Sequence, residues 1–212
     1  MTRAYYDIAF TDAVLAKQRE MGSADSYAKR LRPDAPAQDA LGEAEGAFIA
    51  ERDGFYQATT SETGWPYVQF RGGPPGFVQV LDAKTLAYAD FRGNRQYLSV
   101  GNLSKNDRIA LFFMDYANRR RLKVFGRARV IEAEDDPALV ARLSAPGYRA
   151  KPERAVVIAV AGFDWNCPQH IPQRFTIEEL QSALAPLREE MEALKAENAA
   201  LKKALAAARR GA

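Results

Sequence analysis

The sequence predicts an α+β protein, mainly β, built on a closed or split barrel of short antiparallel strands. Three observations predict it. Between residues 55 and 165 the apolar residues recur with a period of two, in runs separated by turn signals such as "ETGWP" and "RGGPPG". No glycine pattern of the dinucleotide-binding or P-loop type accompanies a strand, which argues against a doubly wound parallel sheet. From residue 177 the period changes to alternating threes and fours, the mark of a coiled-coil helix. These changes divide the chain into an N-terminal helical segment (1–42), a barrel (43–175) and a helical tail (176–212).

"TDAVLAKQREM" (11–21) reads as a helix capped by Thr11 and closed before Gly22. A short helix around 25–31 and a Pro-containing linker follow. "GEAEGAFIAERD" (42–53) is the next helix, ending before Gly54. "FYQATTS" (55–61), "PYVQFRG" (66–72), "GFVQVLD" (76–82) and "TLAYADF" (85–91) read as strands. "NRQYLSVGNLSKN" (94–106) reads as a helix with Tyr97, Leu98 and Leu103 turned inward. "RIALFFMDY" (108–116) and "RRLKVFGRARVIEA" (120–133) are strands, the second with a bend at Gly126. "DPALVARLS" (136–144) is a short helix and "RAVVIAVAGFDW" (154–165) the last strand.

In the tail, Ile177, Leu184, Met191, Asn198 and Leu205 fall at a positions, with Leu180, Leu187, Leu194 and Leu201 at d. Glu190 and Glu197 fall at g, Lys195 and Lys202 at e, so a parallel pair can match them; a buried Asn198 favours two strands in register. The alternative is an amphipathic helix folded back on its own domain. Pro186 removes a donor, so a kink or restart is expected there.

Of 212 residues, 47% are hydrophobic and 27% charged, and the formal net charge is +3. These are globular values, and the dispersed basic residues do not favour nucleic acid. One Cys excludes an internal disulfide framework and suits a reducing compartment. The first 20 residues carry charges throughout, unlike a secretory signal, and no run of 18 apolar residues exists, so a soluble cytoplasmic protein is expected.

Three segments carry candidate chemistry. In "QFRGGPPGF" (69–77), Gln69 and Arg71 lie two apart and share a strand face above a rigid turn. In "DFRGNRQYLSVGN" (90–102), a helix starting near Asn94 would present free N–H groups, with Arg95, Ser99 and Asn102 on one side, a set suited to phosphate. In "NRRRLK" (118–123), Arg119 and Arg121 share a face. Each segment alone also fits an ordinary solvated surface.

Together, "GWPYVQFRGGPPGFVQVLD", "LAYADFRGNRQYLSVGNLSKNDRIALFFMDY" and "RRRLKVFGRARV" resemble the pyridoxamine 5'-phosphate oxidase-related, FMN-binding split barrels over about residues 45 to 170. The resemblance implies a homodimer with FMN at the subunit interface and a flavin-dependent oxidoreductase acting on a small organic substrate. NAD(P)H or O2 would be its redox partner. It places Gln69, Arg71, Arg95, Ser99 and Arg121 at the cofactor; Asn94, Asn102 and Arg119, read from the segments themselves, complete the candidate contacts. The family's Ser-Arg-Lys clamp is replaced here by "GNRQYLS". A second reading is a non-catalytic flavin- or haem-binding module with the coil recruiting a partner; a third is a coil-driven assembly protein whose barrel binds nothing.

"DWNCPQHIPQRF" (164–175) holds the only Cys and the only His, Cys167 and His170. Half of a zinc site, a Cys–His nucleophile pair, an axial haem ligand and a Pro-fixed connector are open readings. The resemblance favours a pocket wall or lid made by Trp165, Asn166, His170 and Arg174, with no metal.

Overall fold

The computed structural model describes residues 3–32, 34, 37, 39–165 and 168–210. They divide into two compact units, 1–171 and 172–212. The first unit contains α1 (Arg3–Ala9), α2 (Asp12–Glu20), α3 (Ala24–Ala28) and α4 (Glu43–Ala50). Strands β1 (Gly54–Thr60), β2 (Pro66–Gly72), β3 (Val78–Asp82) and β4 (Thr85–Phe91) follow. Then come α5 (Leu98–Leu103), β5 (Arg108–Asp115), β6 (Arg120–Glu132), α6 (Pro137–Leu143) and β7 (Pro152–Trp165). The second unit contains α7 (Ile177–Ala208).

All seven strands form one antiparallel sheet in the order β2-β1-β5-β6-β7-β4-β3. Strands β1 and β4 are not neighbours in that order, yet the Phe55 and Tyr88 rings meet edge to face at 5.4 Å and the Tyr88 hydroxyl donates to Gln57 Oε1. The sheet is therefore rolled around a common interior. That interior is filled by Phe55, Phe77, Tyr88, Leu111, Phe113, Leu122, Val124 and Ile158 among others. The alternation in the sequence explains it: along β1, Phe55, Gln57 and Thr59 point in while Tyr56 points out. The two edges, β2 and β3, do not pair with each other, so this is a split barrel with an open seam.

β4 departs from simple alternation, with residues 86–90 all buried. Its second face, Ala87 and Ala89, is covered by Val140 and Leu143 of α6, the small alanines letting the helix approach. At Gly126 the β6–β7 register shifts, which is the expected bend. A Cβ there would lie 2.6 Å from Ile158 Cγ2 and 2.7 Å from the Ala159 carbonyl oxygen.

Within the N-terminal helical segment Arg3–Ala9 is a further helix; Tyr5 and Tyr6 anchor it, with Tyr5 stacked on Phe125 at 4.9 Å. Two expectations are corrected. The helix read over 94–106 is only Leu98–Leu103. Arg95 and Tyr97 adopt φ of 62° and 54°, left-handed values that a continuous helix does not tolerate. Its inward residues are Ser99 and Leu103, while Tyr97 and Leu98 are exposed. Finally, α7 runs unbroken through Pro186. Every α7 residue is exposed, so water can satisfy the carbonyl that proline leaves without a donor.

Candidate functional site

The seam carries a polar cleft where β2, β4, the start of β7 and the loop before α5 converge. Tyr67, Gln69 and Arg71 enter it from β2, because alternate β2 residues face inward while Val68 and Phe70 face out. Asn94, Arg95, Gln96, Tyr97 and Ser99 line it from the loop and α5, and Asp90 and Arg154 from its floor. The cleft thus brings together five residues read from the sequence: Gln69, Arg71, Asn94, Arg95 and Ser99.

An ion-pair network holds the floor. Asp90, 3% exposed, accepts a hydrogen bond from Arg71 Nη1 and, at 3.1 Å, another from Arg154 Nη1. Arg154 Nε also reaches both carboxylate oxygens of Glu132 at 3.1 Å, and Arg154 Nη1 lies 3.3 Å from Glu153. Burial works against the Arg154 charge, but the bonds to Asp90 and Glu132 outweigh it and raise its pKa. Since β2 and β4 are not sheet neighbours, the Arg71–Asp90 pair bridges the open seam. Sequence reading missed Asp90 and Arg154. The signal was an Asp inside the apolar run "TLAYADF", because a charge buried there needs a cation.

The walls are organised by neutral hydrogen bonds. Ser99 Oγ donates to Gln69 Oε1 at 3.0 Å, tying α5 to β2. Asn102 Nδ2 donates to Thr59 Oγ1 at 3.0 Å and does not line the cleft; it anchors α5 to β1. Arg95 is not on a helical face with Ser99, as the sequence reading had it, because it lies before α5. Its side chain shares a hydrogen bond with Tyr97, which raises its pKa.

The other candidates lie elsewhere on the chain. Arg121, opposite Met114 at the β5–β6 end, places its guanidinium over Phe112 at 5.6 Å. Arg119 lies in the adjoining turn with φ of 54°. Neither lines the cleft. Trp165 donates from Nε1 to Glu45 at 2.7 Å and packs on Phe48 at 4.7 Å, with Arg120 4.7 Å above its ring. It is thereby held against α4 and is not a lid over its own chain's cleft. His170 is exposed with φ of 61°, and Arg174 belongs to the second unit. Asn166 and Cys167 lie outside the described residues. No group of three or more His, Cys, Asp or Glu side chains that could hold a metal ion occurs among the described residues.

The cleft's donors suit an anionic ligand rich in hydrogen-bond acceptors. Arg71 Nε is buried without a hydrogen-bond partner, an unmet donor beside the cleft. The family model for pyridoxamine 5'-phosphate oxidase matches residues 41–163, more than half of the chain. The chain belongs to the pyridoxamine 5'-phosphate oxidase family. That match spans β1 to β6, β7 as far as residue 163, and every cleft-lining residue. No curated protein matches the chain at a significant level.

Among solved structures, a putative pyridoxamine 5'-phosphate oxidase from Lactobacillus delbrueckii is similar at 21% identity and a TM-score of 0.45, covering 59% of this chain and 94% of its own. An FMN-binding protein from Syntrophomonas wolfei is similar at 10% identity and 0.45, covering 74% and 96%. HutZ, the haem storage protein from Vibrio cholerae, is similar at 14% and 0.38, covering 59% and 94%.

Proposed function

We infer that the protein is an FMN-dependent oxidoreductase acting on a small organic substrate, with its cofactor held at the interface of a homodimer. The observation that carries the reading is the seam cleft: Gln69, Arg71, Asn94, Arg95 and Ser99 converge there, and a buried Arg71 Nε lacks a partner. When bound, the flavin supplies hydride transfer at its N5; the protein's part is to bind, orient and shield it. Arg95 and the loop Asn94–Gln96 grip the phosphate, and Gln69 and Arg71 donate to the ring system where negative charge develops on reduction. Ser99 holds Gln69 in place through its hydroxyl.

Two features favour a site shared by two copies. The cleft of one chain encloses about 50 Å³, room for a few waters and not for a three-ring heterocycle. Its charges are also nearly spent. Arg71 and Arg154 are engaged by Asp90, Glu132 and Glu153, so Arg95 alone adds positive charge against a phosphate close to a dianion. Arg119 and Arg121 of a second copy supply the deficit. The Arg121 Nε, also buried without a hydrogen-bond partner, is a donor ready for that role. The outer face of β1 and β2 leaves Tyr56, Val68 and Phe70 exposed as one apolar strip for that copy to cover.

Flavin is preferred to haem because the cleft is lined by guanidinium, amide and hydroxyl groups, whereas His170 is not among its residues. The test is the absorbance spectrum of the purified protein before and after adding FMN and removing the excess. Retained flavin bands, lost on combining Arg95→Ala with Arg121→Ala, support the reading. A protein that holds no FMN at micromolar concentration overturns it.

A further inference from the structure

We propose that α7 forms a parallel, in-register, two-stranded coiled coil with a second copy of this chain. The tail lies outside the family match, and the proposal does not depend on the flavin reading. No α7 residue is buried, yet Ile177, Leu180, Leu184, Leu187, Met191, Leu194, Leu201 and Leu205 lie between 42 and 69% exposed in one stripe. Eight large apolar side chains along 32 residues are a seam awaiting cover, not scattered surface residues.

Three features of that seam select its occupant. The first four d positions are leucine, with Ala208 at the fifth, and the single polar core residue, Asn198, sits at an a position, a combination that favours two strands. A carboxamide buried in such a seam finds its hydrogen bond in its own counterpart only when both helices run the same way at the same level. The flanking charges agree. In a parallel pair each g residue faces the following e residue of the other helix, so Glu190 meets Lys195 of the partner subunit and Glu197 meets Lys202 of the partner subunit. In an antiparallel pair g faces g and e faces e, which sets Glu against Glu and Lys against Lys. Lys195 now bonds Glu192 of its own helix at 2.8 Å; that pair is exposed and easily exchanged.

Cross-linking of the full chain tests this, in a Cys167→Ser background carrying Leu205→Cys. Parallel register brings the two introduced thiols face to face, so mild oxidation should yield mostly disulfide-linked dimer. An antiparallel pair sets residue 205 far from its counterpart. A second measurement separates coil pairing from proximity imposed by the barrels. Adding Glu190→Lys and Glu197→Lys should lower self-linking several-fold, and linking should recover with chains carrying Lys195→Glu and Lys202→Glu. Absence of the cross-link in protein whose helicity by circular dichroism is unchanged overturns the proposal, as does partner choice indifferent to the charge exchange.

Discussion

Asp90 shows how much of the seam depends on single side chains. It is nearly buried and answers two arginines; Asp90→Ala strands Arg71, while Arg154 keeps Glu132 and Glu153, and a stability loss of about 3 kcal/mol, read from the denaturation midpoint, is expected. Arg71→Ala costs less, because Asp90 keeps Arg154, but it removes the unmet Nε donor beside the cleft. Arg95→Ala, at an exposed position, leaves stability unchanged and weakens FMN binding roughly tenfold, measured by quenching of flavin fluorescence on titration. Asp90→Ala and Arg95→Ala therefore separate fold from binding. Gly126→Ala acts only on the fold: its new methyl meets β7 backbone at 2.7 Å, and a clear drop in thermal midpoint is expected.

Among the elements, α1 is anchored by a titratable contact. Tyr6, on α1, donates to Asp164 at 3.1 Å and accepts from Arg30 Nη1 at 2.9 Å. Burial first, and then the Asp164 charge, raise its pKa from 10.0 to about 12. Folded chains thus hold the Tyr6 proton more tightly than unfolded ones. Its contribution is complete below pH 10 and is lost as pH rises through about 12. A pH titration followed by tyrosinate absorbance should show two late-ionising tyrosines, Tyr6 and the fully buried Tyr88, whose pKa burial also raises; Tyr6→Phe removes the earlier phase, the one whose ionisation frees α1. α7 depends instead on its polar core residue. Asn198→Leu is expected to raise thermal stability while broadening the oligomer distribution beyond dimers, as read by sedimentation.

For the whole molecule, the proposed dimer has two contacts between copies, one across the outer sheet face and cleft and one along the tail. Deleting 176–212 removes the second only. The truncated protein should keep its strand content and, at high concentration, its FMN, but should lose FMN on dilution at a higher protein concentration than the full chain does. Tethering raises the effective concentration of the barrels. Equal loss on dilution would mean that the barrel contact suffices alone.

The strand segments, the coil stripe and the cleft's β2 and loop residues were legible in the sequence, for one physical reason: each is a periodic or contiguous pattern. "PYVQFRG" puts Gln69 and Arg71 on one face whatever surrounds it, and a 3–4 repeat defines a seam before any partner exists. The length of α5 was not legible, because the left-handed backbone at Arg95 and Tyr97 is imposed by the closing loop and not by residue type. Nor was Trp165's position, since its bond to Glu45 joins residues 120 apart. The Asp90–Arg71–Arg154 network is of the same kind. The sequence by itself determined which elements form and which faces are apolar. Only the rolled sheet decided that β2, β4 and β7 share a seam, because burying one face of a seven-stranded sheet brings distant charges together where they must pair.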